Sequence, residues 1–362
     1  MRGVISQLLG ERYRLVEQLG AGGMSVVWRG YDEVLGRQVA VKVLTPKLAA
    51  ERSFRHRIRV EAQAAARLCH PHITNVYDYG ESSVDGATVP YVVMELVDGE
   101  SFATHLARRG ALPWREAVAI CAEVASALAT AHARGVVHRD VTPGNVMVTV
   151  AGAKVVDFGI SALVGESDAG PDGSLLGTPA YLAPERLERG QVSAATDVYA
   201  LGLMLYRSLV GRLPWQASTT TQMLRAHLYA DPGAMPPVPG LPDEVVELCQ
   251  RCLAKAPKDR PTSAEVARAL AAALGVPSIV PISPAPVSGG TVAVDDLATA
   301  GTTILPWPTV TDAISLSGWR SRPPSRPRRR VGAVLIGAGL MAATGLAWAA
   351  TAGGSATASG DE

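Results

Sequence analysis

The chain has 362 residues, 48% of them apolar and 19% charged, enough for one large or two modest domains with a sizeable buried core. A formal net charge of +1 argues against a protein built throughout to coat nucleic acid. Four cysteines, Cys69, Cys121, Cys249 and Cys252, are too few for a disulfide scaffold and suit a reducing compartment.

The first residues, MRGVISQLLGERYR, contain neither a long apolar stretch nor a small-residue cleavage site, so no secretory leader is expected and the N-terminal bulk is expected in the cytoplasm. From 11 to 97 the pattern predicts mostly strands. RYRLVEQLG, MSVVWRGYD and RQVAVKVL alternate or run apolar with β-branched residues, broken by glycine pairs and by Leu35-Gly36. One helical stretch, FRHRIRVEAQAAARL, interrupts them, and HITNVYDYGE and YVVMELVDG again read as strands. From Ser101 the pattern turns helical. WREAVAICAEVASALATAHARG has a 3.6-residue apolar period ending at Gly135, and further helices are predicted near 195–211, 218–228, 242–254 and 263–274.

Cys249 and Cys252 have the CxxC spacing of a zinc or redox motif. A closed zinc site needs four ligands, and no second close pair of Cys or His supplies them. Both thiols share a helix face with Val246 and Leu253, so packing as small hydrophobes is the expectation.

Past Leu274 the composition shifts to Pro, Ser, Thr and Gly with little periodicity, which predicts a linker over 275–330. It ends in RSRPPSRPRRR, six arginines from Arg320 to Arg330. No charged residue follows until after Gly360, and residues 331–351 are long enough to cross a bilayer core as one helix. Flanking arginines would keep the preceding chain on the cytoplasmic side, with Trp348 at the far interface. Beside such a span, anionic lipid is a simpler partner for Arg320–Arg330 than nucleic acid, which is not expected. Small-xxx-small spacing at Gly339/Ala343 and Gly345/Ala349 allows a homodimer through the span. The tail 352–362 is too short to fold, so no sensor domain is expected on the far side.

Two groups of residues point to phosphate chemistry. In LGAGGMSVVW, Gly20, Gly22 and Ser25 lie between two strands, where glycines let a backbone approach phosphate. Alone, that spacing reads equally well as a tight hairpin. VAVK then places Lys42 inside an apolar strand, where a lysine needs a partner, and Glu61 on the next helix is the natural one. In VVHRDVTPGNVMV and AKVVDFGIS, Asn145 and Asp157 offer hard oxygens that suit Mg²⁺, leaving Asp140 to accept a hydroxyl proton. Any one of these could be a surface or turn residue. Their joint occurrence, in this order, is very improbable by chance.

These segments together resemble a eukaryotic-like bacterial serine/threonine protein kinase over about residues 11–274. The resemblance implies an α+β, bilobal kinase fold: a β-rich N-lobe over 11–97 and a helical C-lobe over 98–274, followed by the linker and one transmembrane helix. It would make Leu19, Gly20, Ala21, Gly22, Gly23, Ser25 and Val27 the loop over ATP and put Ala40 and Met94 around the adenine. The backbones of Glu95 and Val97 would bond its edge. Lys42 would hold the α- and β-phosphates with Glu61 as its ion-pair partner, Asp140 would be the base, and Asn145 and Asp157 would hold Mg²⁺, with Mn²⁺ as a substitute. Ala183-Pro184-Glu185 resembles the end of the activation segment with Arg260 as its buried partner, and Asp197 the aspartate that braces the catalytic loop. Thr178 in GTPAYLAPE resembles the serine/threonine-directed members, whose substrates are proteins. Arg139 beside Asp140 suggests control by a phosphate on the activation segment, with Ser161, Ser167 and Ser174 as candidates.

Thr142 departs from the pattern, since the family generally has lysine there. Its loss takes a positive charge from the transition state. That departure raises one alternative, a catalytically impaired ATP-binding scaffold of the same fold; a separate second alternative is a small-molecule kinase of related fold. The second is disfavoured by the GTPAY and APE elements, which build a peptide surface in protein kinases.

Overall fold

The computed structural model describes residues 8–22, 25–45, 52–84, 87–158, 179–188 and 192–277. Gly23, Ser161, Ser167, Ser174 and Thr178, the linker beyond Pro277, the predicted span and the tail lie outside the described residues.

Six strands make the first sheet: β1 (Leu8–Leu9), β2 (Tyr13–Ala21), β3 (Ser25–Asp32), β4 (Arg37–Leu44), β5 (Val76–Val84) and β6 (Ala87–Met94). Their order is β1-β2-β3-β4-β6-β5, antiparallel throughout. β4 is apolar on both faces because both are covered. Val39 and Val41 pack with Tyr13, Tyr91 and Val93 on one side. Ala40 and Leu44 pack with Phe54, Ile58 and Ala62 of helix α1 (Arg52–Ala66) on the other. Buried positions 54, 58, 62 and 65 recur at the helical period, which lays α1 along the sheet with its arginines outward.

Residues 72–75 differ from the predicted strand. Ile73 is buried in the C-lobe core and bridges Val155, while the Thr74 N–H donates to the Val155 carbonyl. Strand-like composition there serves the second lobe, because Ile73 finds its apolar neighbours in that core.

A small sheet, β7 (Glu100–Ser101), β8 (Val146–Thr149) and β9 (Gly152–Val155), opens the helical lobe. The helices are α2 (Phe102–Arg109), α3 (Trp114–His132), the short α4 (Pro184–Leu187), α5 (Ala194–Val210), α6 (Thr220–Tyr229), α7 (Asp243–Cys252) and α8 (Ser263–Leu274). α3 buries 12 of its 19 residues and α5 13 of its 17, so these two are the spine of the core and not surface helices. Cys249 and Cys252 are fully buried on α7, and burial pushes the Cys252 thiol up to about 12. A Cβ on Gly202 of α5 would stand 2.7 Å from the Cys252 Cβ, so the two helices touch where only small side chains fit. Among the described residues no helix is long and apolar enough to cross a membrane.

Candidate active site

A cleft of about 740 Å³ opens between the β-sheet and the helical lobe. Of the predicted nucleotide residues, Leu19, Gly20, Val27, Ala40, Met94, Glu95 and Val97 line it, together with Asn145 and Asp157. Ala21, Gly22 and Ser25 do not appear in its wall; the Gly22 N–H instead closes the hairpin onto the Ser25 carbonyl at 2.8 Å. A Cβ on Gly20 would meet no protein atom within 4 Å, so packing within the protein does not demand glycine there, and the space above it is open for phosphate.

Lys42 stands on β4 between Val27 and Val92 and is 8% exposed. A buried ammonium needs a counter-charge. The predicted partner, Glu61, does not supply it: Asp157 Oδ1 lies 3.1 Å from the Lys42 ammonium. Glu61 Oε2 is buried with no hydrogen-bond partner. Burial pushes the Glu61 carboxyl up to about 7 against the opposing pull of Arg139 and Arg57. The physical reason is reach: Asp157, held at a left-handed φ of 64°, meets the ammonium, while the cations that act on Glu61 are Arg139 and Arg57.

The catalytic loop is held by its backbone. Asp197 of α5 accepts the N–H groups of His138 and Arg139, each at 2.8 Å, as the sequence pattern implied. These bonds stabilise Arg139 at φ 69°, a conformation costing about 1–2 kcal/mol for a residue with a side chain. His132 Nε2 donates to the same carboxylate at 2.7 Å, and Ser263 Oγ is 2.8 Å from its other ring nitrogen. A serine–histidine–aspartate row of this kind suggests a hydrolase, but Ser263 is 4% exposed and Asp197 is committed to the loop. It is a brace running from α8 through α3 and α5. His138 Nε2 donates to the Val156 carbonyl at 3.0 Å, which ties the loop to the segment carrying Asp157.

Asn145 donates from Nδ2 to the Asp140 carbonyl and to Asp140 Oδ2, both at 2.8 Å. Its amide oxygen is therefore turned away from those bonds and, with Asp157 across the same cleft, forms the pair of hard oxygens that Mg²⁺ accepts alongside phosphate and water. The residues fit that ion.

Beneath the loop, Glu185 receives two bonds of 2.8 Å from Arg260 and one of 2.9 Å from Thr196. Burial works to raise its carboxyl, but Arg260 outweighs that and holds it below the ordinary range.

Met147 and Gly99 in the cleft wall escaped the sequence reading, as did Lys154 and Asn75, which hold the predicted Glu95. Met147 lines the floor: Val146 before it is fully buried, so strand alternation from Asn145 onward would have placed Met147 on the open side. Glu95 is held by Lys154 Nζ at 2.7 and 2.9 Å and by Asn75 Nδ2 at 3.1 Å. Its own N–H donates to the Asn75 carbonyl at 2.9 Å, which leaves the Glu95 carbonyl for a ligand. A Cβ on Gly99 would sit 2.3 Å from the Val148 carbonyl, so the connection between the lobes passes β8 where only glycine fits.

Two lobes joined by one strand-like connection, with this cleft between them, define a protein-kinase fold. The profile of the protein kinase domain matches residues 13–270, and the chain belongs to that family. It is 43% identical over 288 residues to the serine/threonine-protein kinase PksC of Streptomyces coelicolor, covering 76% of this chain and 52% of that protein. It is 41% identical over 254 residues to PknA of Mycobacterium tuberculosis, covering 70% of this chain and 58% of that protein. The chain thus spans about half the length of the curated relatives it matches. Among solved structures, the kinase domain of M. tuberculosis PknI superposes with a TM-score of 0.56 at 34% identity, over 76% of this chain and 100% of that one.

Proposed function

We propose that the chain transfers the γ-phosphoryl group of ATP to serine or threonine hydroxyls of proteins, itself included. The observation that carries this reading is convergence: Lys42, the Asp140–Asn145 loop and Asp157 come from three separate segments, Asn145 and Asp157 line one cleft, and Lys42 and Asp140 are bonded to them. Asp140 is the proton acceptor, held by the Asn145 amide so that its carboxylate stays fixed. Lys42 would leave Asp157 for the phosphates when nucleotide enters, freeing Asp157 for the metal. Mg²⁺ held by Asn145 and Asp157 supplies charge to the phosphate oxygens when bound. Serine/threonine choice is supported by Thr178 and by the names of the relatives. The test is incorporation of labelled phosphate from Mg²⁺–ATP by the full chain beside an Asp157→Ala control; equal incorporation sinks the reading. No observation on the cleft favours the scaffold alternative.

The kinase domain is proposed to be anchored to the cell membrane from its cytoplasmic side by residues 331–351, with Arg320–Arg330 on anionic lipid. Truncation after Pro327 should release the protein to the soluble fraction. Full-length protein found mainly there defeats the anchor.

A further inference from the structure

A groove of about 290 Å³ lies between α3 and α8 and shares no residue with the nucleotide cleft. It is lined by Ala119 and Ala122 of α3 and by Ala267 and Ala271 of α8, whose small side chains hold it open. Its polar members are engaged within the protein. His72 Nδ1 donates to the Ala153 carbonyl at 2.8 Å, the Ala153 N–H donates to Glu123 at 2.6 Å, and Ser126 Oγ lies 3.1 Å from the His70 ring. What they leave to an occupant is an apolar wall already in place, so docking there orders few groups that were free before.

α8 delivers the chain to this groove. Gly275, at a left-handed φ of 72°, ends the helix, and the Val276 N–H turns back to the Ala271 carbonyl at 3.1 Å. Pro277 has no N–H with which to extend the helix, and the described chain ends with Val276 and Pro277 in the groove wall. The next residues are Ser278, Ile279, Val280, Pro281 and Ile282, three of them aliphatic, and no charged residue follows before Asp295. At about 3.6 Å per residue, Ile279 can stand no farther than about 7 Å from Pro277. A tether that short presents these side chains to the groove at high effective concentration. A partner arriving in trans would have to give up translational freedom that this segment has already lost.

We propose that residues 279–282 of this chain occupy the groove between α3 and α8, so that the folded unit reaches past the end of α8 into the predicted linker. The contact is apolar burial of Ile279, Val280 and Ile282 against the four alanines and Leu274. It is independent of the phosphotransfer reading, because no residue of the nucleotide cleft takes part. The groove thereby sets the direction in which the linker leaves the kinase domain.

Thiol reactivity in the full chain tests the proposal. Cys69→Ser first removes the exposed cysteine, leaving Cys121, Cys249 and Cys252 buried. Ile279→Cys then places a thiol in the docked segment, where cysteine keeps the contact as a small hydrophobe. Iodoacetamide should alkylate it about tenfold more slowly than a thiol placed farther along by Ser288→Cys. Ala122→Arg adds a long side chain from the half-buried wall of the groove and should bring the two rates within about twofold. A second variant leaves every described residue in place: Ile279→Ser with Val280→Ser and Ile282→Ser should lower the melting temperature by about 4 °C. Equal alkylation rates without Ala122→Arg overturn the assignment, as does protection that survives it or an unchanged melting temperature in the triple variant. Protection that strengthens over an about tenfold rise in protein concentration puts a second copy in the groove and overturns it too.

Discussion

Glu185 and Glu61 are two glutamates expected from the sequence pattern to meet one cation each, and they end in opposite states. Glu185 receives both arms of Arg260 and the Thr196 hydroxyl, and Arg260 also donates to the carbonyls of Ala195, Ala254 and Lys255. Neither partner can move without stranding a buried charge. Glu61 has no partner for one carboxylate oxygen, while the ammonium it was expected to meet makes its ion pair with Asp157. A bidentate pair with every donor used has one geometry, whereas a lone ammonium contact can be exchanged at small cost. The platform under the catalytic loop is therefore fixed, and the nucleotide side is built to change partners.

The largest effect expected on this contrast is at Asp157. Asp157→Ala should reduce phosphate incorporation to assay background while lowering the denaturation midpoint only modestly, because water entering the cleft that Asp157 lines can solvate the ammonium left without its counter-charge. A large drop in the midpoint would mean that the Lys42–Asp157 pair is structural. Next comes Arg260→Ala, which leaves Glu185 buried and unpaired. It should cost about 3–5 kcal/mol of stability in urea denaturation, and a loss below about 1 kcal/mol would remove the fixed half of the contrast. Lys154→Met breaks the hold on Glu95 where both side chains are partly exposed, so roughly 1 kcal/mol is expected, with a few-fold change in ATP affinity by calorimetry. Unaltered affinity would show that the Glu95 carbonyl is positioned without Lys154.

The smallest effect is a pH dependence. The Glu61 carboxyl titrates at about 7 in the folded chain against an ordinary 4.5. The folded state then holds the proton more tightly, so this contribution to stability is fully present below about 4.5 and is lost as pH rises through about 7. Glu61→Gln should flatten the fall in melting temperature between about pH 5 and 8. Parallel curves for the two proteins would show that Glu61 titrates normally.

Much of this was legible before any coordinates. The helices at 194–210, 220–229, 243–252 and 263–274 fall within a few residues of their predicted places, since the last two carry an apolar stripe at the helical period, the first is a long apolar run, and caps such as Thr262 before Glu265 mark their starts. Arg260 as partner of Glu185 and Asp197 as brace followed from the resemblance. Residues 72–75 were misread because β-branched composition says that a segment is extended, not which lobe it joins. Lys154 and Asn75 were missed for a similar reason. Each is an ordinary polar residue in its own segment and acquires its role only where Glu95 approaches.

What the amino-acid order determined by itself is the set of chemical parts: a glycine turn, a strand lysine, an asparagine and two aspartates at a spacing that chance rarely assembles. Local periodicity also determined which stretches coil and which extend, because those preferences act over a handful of neighbouring residues. Only the tertiary structure decided which carboxylate holds Lys42, which strand the 72–75 segment joins, and that Pro277 lies beside a groove between α3 and α8. Those outcomes depend on distances between segments tens of residues apart, where several partners are chemically acceptable and packing selects one.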